Sequence, residues 1–491
     1  MKKIIRYFAL WLLLMSIAID GIGQMVTTKE ATRIAENWIH VIIDEYGSWG
    51  SYDTAEILPV QELTWNGRKL GYACNVDPEG YMVLSLRREL APVKAYSPRG
   101  SFDFATDHKG EDIIKTSIAY LIDTIESRLG RIESVTPADL APILEINYTE
   151  AWEAIYNYIP GTWKGSQSKT SGRGNYQGGS TLLDTSNNWH QHPPFNEQCP
   201  YMGCTTTSNG NAFVGCAATA ASQIMYHWSW PPKDVILDPY DWPNMPDVLN
   251  TNSPQVEIDA VAELCSEVGN YSNMSYGCDE STTTYAQIII AFEAYYRYSS
   301  NCNIYYREDF SGGVAWFESI KAQLNMNRPL EYGITGHAIL CDGWRETGNP
   351  VLREYHMNWG FTGTNNDTWY TLGALPGGGI EIESYIGNIY PICSLHGSLS
   401  GTYTVPQYGH RYFNVDASGV NAAFNSGHRL QFLPEVVVKC TGSGVFETIR
   451  FDGTYTAHTR MFTGGDISRG IRIYNGTLEL TNGGGLKFYD D

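Results

Sequence analysis

The stretch VGCAATAASQIMYHW, Val214–Trp228, sets a cysteine at the start of a helix and decides how the rest of the chain is interpreted. Its apolar residues recur at helical spacing, and Pro231 and Pro232 end the run, so the helix begins at or beside Cys216. Free N–H groups and the positive end of the helix dipole favour an anion there, which predicts a depressed thiol pKa. Gly215 predicts close approach of another chain to the sulfur. A buried structural cysteine is the alternative, because a typical free cysteine is of that kind.

A cysteine nucleophile needs a base within hydrogen-bond reach, and the base needs a group that orients it. The stretch EYGITGHAILCDGW supplies His337 at the start of a short apolar strand, preceded by Gly336. In REYHMNWGF, strand alternation sets Asn358 and Trp359 on opposite faces. Asn358 can accept a hydrogen bond from the ring N–H of His337, and Trp359 can shield that bond from water.

Two alternatives for the base and its partner stay open. His356 is a second possible base, although a single strand histidine is more often packed or solvated. Asp342 is a possible orienting carboxylate, but it lies on the opposite strand face from His337. For the oxyanion of a tetrahedral intermediate, the sequence offers the backbone N–H of Cys216 and the side-chain amide of Gln191, in NNWHQHPPFN.

Three motifs, VGCAATAASQIMYHW, TGHAILCDGW and YHMNWGFTG, together resemble the streptopain family of bacterial cysteine peptidases, a branch of the papain-like fold. The resemblance runs from about Asp184 to Pro391 and extends to GYMVLSLRRELAPVKAYSPRGSFD, which is similar to the inhibitory propeptide of that family. It implies five catalytic residues: Cys216 as nucleophile, His337 as base, Gln191 as oxyanion donor, and Asn358 with Trp359 as the orienting pair.

The resemblance also implies a substrate cleft, and there it is less regular. Trp242, in YDWPNMP, resembles an aromatic position that lines the cleft of the family, and Gly336 lies beside the implied base. Ala217 follows the implied nucleophile where valine is usual, and Phe361 and Thr362 stand where tryptophan and glycine are frequent. These departures affect cleft shape and substrate preference but remove no reacting group.

Composition changes along the 491 residues predict an α+β protein of five segments. The first residues have the basic and then apolar layout of a secretory signal, and Thr27 with Glu30 stands at capping-box spacing before an amphipathic helix. With the roles that the family resemblance implies, the segments are a signal peptide at 1–24, a small α+β inhibitory pro-domain at 25–160, a flexible linker with the activation cleavage at 161–180, a papain-like catalytic domain at 181–396 and an all-β accessory domain at 397–491.

Charge and cysteine usage narrow the function further. The formal net charge of −20 and the lack of basic clusters exclude nucleic acid as a partner. No second cysteine pair with zinc-like spacing accompanies Cys199 and Cys204, so packing or an isolated disulfide is expected for them, and neither a metal nor a cofactor is expected. After the leader, no stretch is long and apolar enough to span a bilayer, so no stable membrane insertion is expected.

These observations predict a bacterial cysteine endopeptidase that is secreted or located at the cell surface and made as a zymogen. Its partners would be protein or peptide substrates and its own pro-domain as intramolecular inhibitor. Cleavage for activation is expected in the linker, near Lys164, Lys169 or Arg173. Two alternatives remain: a non-catalytic adhesin or binding protein on a papain-like scaffold, and another Cys-His acyl transferase on the same residues.

Overall fold

The computed structural model describes nine stretches of the chain up to residue 390, together with the backbone of seven short strands beyond it. The stretches are 25–104, 109–162 (backbone alone for 109–113), 179–231, 240–296, 298–326, 328–334, 336–360, 367–375 and 383–390. The predicted signal peptide, the three candidate cleavage positions in the linker, and Phe361 with Thr362 lie outside these residues.

Eight α-helices are described, and the first begins as the sequence predicts. Thr27 caps it with a capping box: its hydroxyl accepts from the backbone N–H of Glu30 at 3.3 Å, and the Glu30 carboxylate accepts from Thr27 N at 2.8 Å. The helices are α1 Thr28–Tyr46, α2 Lys109–Leu129, α3 Pro137–Leu140, α4 Thr149–Tyr156, α5 Cys216–Trp228, α6 Gln255–Tyr271, α7 Tyr285–Ile290 and α8 Gly313–Asn325. Shorter turns are 3-10 helices at Ala141–Ile143, Trp242–Asn244 and Arg307–Asp309 and a π-helix at Ala291–Tyr295.

One antiparallel sheet of eleven strands forms the centre of the described protein. Its strands are β1 Glu56–Ile57, β2 Gln61–Trp65, β3 Arg68–Asp77, β4 Tyr81–Ser85, β5 Val93–Ser97, β6 Asn303–Tyr306, β7 Leu330–Ile334, β8 His337–Thr347, β9 Leu352–Asn358, β10 Thr368–Thr371 and β11 Ser384–Gly387. They lie in the order β1-β3-β4-β5-β10-β9-β8-β7-β11-β6, with β2 paired to β3. Between residues 181 and 390 the described chain contains both helices and strands, as expected for an α+β protein.

The sheet crosses from the N-terminal unit, residues 25–162, into the peptidase unit, residues 179–390, at a single strand pair. Strand β5 pairs antiparallel with β10, with Tyr96 opposite Trp369 and Ala95 opposite Tyr370. Strand β10 in turn pairs with β9, which ends at Asn358. The N-terminal unit is therefore two strands away from the strand that carries the predicted orienting residue.

Two apolar cores cover the two faces of the sheet where β8 crosses it. Alternate β8 residues belong to different cores: Ile339 packs in the core that α1 and α8 share, and Leu340 packs in the core around α5 and α6. Because β8 is buried on both faces, its position is fixed between the two cores. The start of β8 is thereby held against α5.

Beyond residue 390 the described segments are strands in two parallel sheets. They are β12 Ile392–Ser394, β13 Thr402–Val405, β14 Arg411–Asp416, β15 Arg429–Phe432, β16 Val436–Thr441, β17 Thr448–Phe451 and β18 Thr477–Leu480. Strands β12, β14 and β16 form one sheet, and β13, β15, β17 and β18 the other. Strand β18 pairs in parallel with β17.

Among the described helices, none combines the length and the apolar character that crossing a membrane requires.

Candidate active site

Cys216 is the first residue of α5, as the sequence predicts, and the backbone before it is glycine-specific. Gly215 has φ of 92°, a conformation that L side chains rarely adopt. A Cβ at this position would lie 2.8 Å from the carbonyl oxygen of Ser281 and 2.9 Å from Cε of Met274. The expectation that Gly215 clears the approach of another chain is therefore wrong, because the space is filled by the protein's own residues.

The thiol of Cys216 lies against the start of β8. Burial raises its pKa above the ordinary value, and backbone N–H groups, first that of Ala338, lower it without offsetting the burial. An ionised Glu331 would raise it further. The predicted depression of this pKa is thus not found: the helix N-terminus is present, but desolvation outweighs it. Because Ala338 directly follows His337, its contact with the thiol places His337 close to Cys216.

His337 is buried at the start of β8, and its ring is neutral in this structure. Its Nε2 lies 3.0 Å from the carbonyl oxygen of Trp359, and burial lowers its pKa to about 4. A carbonyl can only accept, so Nε2 carries the proton and Nδ1 keeps a lone pair. The indole of Trp359 lies nearly parallel to the imidazole, at 11° with ring centroids 6.2 Å apart. The ring is thus in the tautomer that a general base requires.

Asn358 does not make the predicted hydrogen bond. Its Oδ1 accepts from Gly360 N at 3.1 Å and from Gln223 Nε2 at 3.4 Å, and its Nδ2 donates to the carbonyl oxygen of Asn187 at 3.2 Å. The imidazole N–H of His337 goes instead to the carbonyl one residue further on, that of Trp359. The reason is local: the Asn358 amide is fully engaged by α5 and by the loop that precedes it.

His356 is not a free base, and Asp342 does not orient His337. Both ring nitrogens of His356 contact a carboxylate: Nδ1 lies 2.6 Å from Oδ1 of Asp342, and Nε2 lies 2.8 Å from Oδ1 of Asp367. The two carboxylates outweigh burial and raise the His356 pKa to about 9, so the ring is a buried cation. Oδ2 of Asp342 accepts from the N–H of Leu183 at 3.0 Å. Both alternatives therefore belong to a structural charge network.

Gln191 and Gly336 lie on two separate segments, one before α5 and one directly before β8. The carbonyl of Gln191 accepts from Val214 N at 3.1 Å, which ties its loop to the residue two before Cys216. Gly336 has φ of 75°, and a Cβ there would meet nothing within 4 Å. Open space beside His337 is compatible with the cleft that was expected there.

Trp242 is misassigned by the sequence reasoning. It is 5% exposed, its indole N–H donates to the carbonyl of Pro231 at 2.9 Å, and its ring contacts Tyr240 edge-on at 5.2 Å. It packs in the core around α5 and α6 rather than on a cleft wall. An aromatic residue followed by proline is equally compatible with a core position, and here Trp242 occupies one.

Cys199 and Cys204 do not bridge each other. Cys204 forms a disulfide with Cys278, 74 residues away, while Cys199 is a free, buried thiol. The spacing of the cysteines could not identify the partner of Cys204, because the bridge links two loops that only the folded chain brings together. Packing is the role of Cys199.

The sequence reasoning missed the residues that hold Asn358 and His356. Asn187 and Gln223 form hydrogen bonds with the side-chain amide of Asn358. Asp367 contacts Nε2 of His356, on the side of the ring away from Asp342. Gln223 is the one with a sequence signal, since a glutamine seven residues into an otherwise apolar helix needs a partner. Asn187 and Asp367 lie in polar loops where nothing sets them apart.

Comparison with known proteins agrees with this geometry. A family model described as the Peptidase C10 family matches residues 189–370. The thiol protease/hemagglutinin PrtT of Porphyromonas gingivalis is 28% identical over 205 residues, which are 37% of this chain and 22% of PrtT. Streptopain of Streptococcus pyogenes is 23% identical over 359 residues, 66% of this chain and 79% of streptopain. The chain thus spans about a fifth of the length of PrtT.

Among solved structures, a fragment of Prevotella intermedia prointerpain A is 19% identical and has a TM-score of 0.47, covering 69% of this chain and 99% of that one. The family match spans the loop of Gln191, helix α5 with Cys216 at its head, and strands β8 and β9 with His337 and Asn358. Residues 189–370 are therefore similar to the Peptidase C10 family of cysteine peptidases, as streptopain and PrtT also indicate.

Proposed function

We propose that the chain is the precursor of a secreted cysteine endopeptidase, with Cys216 as nucleophile and His337 as base. The observation that carries the proposal is the hydrogen bond from the N–H of Ala338 to the Cys216 thiol, because it joins the head of α5 to the start of β8. A thiol and an imidazole whose Nδ1 is unprotonated then lie on adjoining elements. This is the arrangement that nucleophilic acyl transfer requires.

The reaction follows from these atoms. Nδ1 of His337 takes the thiol proton as Cys216 Sγ attacks the peptide carbonyl, and the oxyanion is stabilised by the backbone N–H of Cys216 and the Gln191 amide. The C–N bond breaks as the imidazolium protonates the leaving amine. Water then gives a proton to His337 and attacks the thioester, which releases the acid and restores the thiol. Trp359 holds the imidazole through its carbonyl, and Asn358 supports the turn that contains it.

The precursor's protonation states favour a latent enzyme. Burial raises the pKa of Cys216 and lowers that of His337 to about 4, so the pair is an uncharged thiol and imidazole rather than an ion pair. Water entering the site after maturation would reverse both shifts. We infer that the N-terminal unit keeps the site desolvated through its hold on β10 and β9.

Contacts of the N-terminal unit support that inhibitory role. The hydroxyl of Tyr81 lies 2.8 Å from that of Thr368, and the hydroxyl of Tyr148 donates to the carbonyl of Leu372 at 2.6 Å. Glu145 pairs with Arg307 at 3.1 Å. These contacts bury the unit against β10 and its continuation, so it acts as a folded partner and not as a tail. In the proposed arrangement, 1–24 is removed on export, 25–160 inhibits, 161–180 is cut, and 397–491 is an accessory domain.

Intact mass and N-terminal sequencing of the wild type beside Cys216→Ala test the proposal. Wild-type protein should lose its N-terminal unit and then cleave denatured casein, and an epoxide inhibitor should label Cys216. The Cys216→Ala precursor should keep its full length and cleave nothing. Cys302→Ala, which removes another free cysteine of the peptidase unit, is the matched control and should behave as wild type. Processed wild type with a free thiol that neither reacts nor cleaves would overturn the proposal.

A further inference from the structure

Glu331, in the middle of β7, is a buried carboxyl group that the proposed reaction does not use. It is 0% exposed, and neither of its carboxyl oxygens has a hydrogen-bond partner among the described residues. Burial raises its pKa well above the ordinary value, so it is a neutral acid. An unsatisfied buried carboxyl is unfavourable, and such groups in folded proteins call for a specific explanation.

The register of β7 and β8 places the Glu331 carboxyl group one residue pair, on the same sheet face, away from the pair that lies nearest the Cys216 thiol. On β7, Gly333 lies opposite Ala338, whose N–H contacts the Cys216 thiol. Glu331 lies opposite Leu340, two residues along the same face, which is a separation of roughly 7 Å at strand spacing. The row nearest the sulfur thus carries two very small residues, and the next row carries the unpartnered acid.

The side chain of Tyr285, the first residue of α7, extends from the surface to Gly333 on β7. It is partly exposed, and its hydroxyl occupies the position that a Cβ on Gly333 would take. Burial raises its pKa, and negative charge on Glu331 or Cys216 would raise it further, which shows that the phenol is close to both. Glycine at 333 therefore leaves room for a group between the strand and α7, and the phenol is its present occupant.

We propose that Glu331 and Tyr285 form a substrate subsite beside Cys216 that takes a lysine or arginine side chain from a residue next to the scissile bond. The inference rests on the proposed peptidase function. Folding has already removed the Glu331 carboxyl group from water, and the ion pair with the incoming cation offsets both the ionisation of this carboxyl and the desolvation of the cation. Glu331 releases its proton to solvent as it pairs with the cation. The Tyr285 phenol turns aside and presents its ring to the alkyl stem and the charge.

The chain's own linker has the matching chemistry. Between the N-terminal unit and the peptidase unit, its charged residues are all basic, namely Lys164, Lys169 and Arg173. The formal charge of the whole chain is −20, so a basic segment at this point is unusual for its composition. A subsite for cations would direct self-processing to the linker and away from the acidic remainder.

Peptide hydrolysis by processed enzyme tests the inference. Matched fluorogenic peptides carry Arg, Lys, Gln or Leu at each of the two positions before the scissile bond, and epoxide titration counts the active sites. At one position the wild type should prefer Arg or Lys over Gln in kcat/KM by on the order of tenfold or more, as for a desolvated ion pair. Glu331→Gln should abolish that preference, so that the Arg, Lys and Gln peptides have similar kcat/KM values. Glu308→Gln, an exposed glutamate of the same unit, is the control and should keep the preference.

The outcomes separate this inference from the function on which it rests. Cys216-dependent hydrolysis without preference for basic residues, or a basic preference that survives Glu331→Gln, overturns the subsite and leaves the peptidase. Absence of any Cys216-dependent hydrolysis overturns both. If Glu331→Gln fails to process itself, addition of wild-type enzyme in trans supplies mature protein for the same measurement.

Discussion

One carboxylate, that of Asp367, lies between Arg99 and His356. Its Oδ2 is 3.2 Å from Nε of Arg99 in the N-terminal unit, and its Oδ1 is 2.8 Å from Nε2 of His356 in β9. Asp342 closes the far side of the imidazole at 2.6 Å. Four alternating charges therefore run from the N-terminal unit into the sheet next to the candidate active site.

The two ends of this network should contribute unequally to the stability of the precursor. Arg99 is 39% exposed, so solvent screens it, and Arg99→Ala should lower the free energy of unfolding by less than about 1 kcal/mol. Asp367→Asn leaves the buried His356 cation with one carboxylate and should cost about 3 kcal/mol. Urea unfolding at pH 7 measures both. Equal costs would show that Asp367 is not the centre of the network.

Precursor stability should fall at alkaline pH because of His356. Its pKa is raised from 6.5 to about 9 in the folded state, so the folded protein holds a proton that the unfolded chain releases. This contribution, roughly 3 kcal/mol at most, is complete below pH 6.5 and is lost as pH rises from 6.5 to 9. Urea unfolding of wild type and His356→Gln at pH 6, 7.5 and 9 should show a difference that shrinks with pH. A constant difference would contradict the buried cation.

Replacing Trp242 should affect folding and not substrate choice. The side chain is buried and its N–H is bonded to Pro231, so Trp242→Ala should cost about 3 to 5 kcal/mol through cavity formation and a lost hydrogen bond. Thermal unfolding gives the stability. The ratio of kcat/KM values between two peptides, taken on titrated active sites, should stay at the wild-type value. A changed ratio would restore Trp242 to the cleft.

The Cys216 thiol should be slow to alkylate in the precursor and faster after maturation. Burial raises its pKa, so the thiolate is scarce at neutral pH, and the rate should climb only as pH rises above the ordinary thiol value. Iodoacetamide labelling, followed by mass spectrometry from pH 6 to 10 on freshly purified wild-type precursor and on processed wild type, compares the two states. Rapid labelling of the precursor at pH 7 would show an active ion pair already in place.

Short-range patterns carried most of what could be predicted. The capping box at Thr27, the start of α5 at Cys216 and the strand start at His337 are all set by neighbours within a few residues, and the structure has each of them. The order of the motifs along the chain was sufficient to point to the peptidase family. Neighbouring residues determine where a helix or strand begins, and the catalytic motifs were recognised at such positions.

Long-range contacts account for the misses. The bridge of Cys204 to Cys278 spans 74 residues, and Asn358 is held by Asn187, which is 171 residues away. The raised pKa of Cys216 depends on how deeply the folded protein buries the start of α5, and the helical spacing of apolar residues does not predict that burial. In each case the sequence located the residue in its helix, strand or loop, but not the distant residues that surround it in the folded protein.

The strand pair between β5 and β10 has a consequence for the products of maturation. In the proposed maturation, departure of 25–160 would remove the neighbour of β10 and make β10 a sheet edge, with backbone N–H and C=O groups open to any extended segment. The released unit carries the complementary edge on β5 and can add back to it. A cut in the linker alone would therefore leave a nicked, non-covalent complex whose dissociation depends on concentration. Full activity would follow dilution of the released unit or its further digestion.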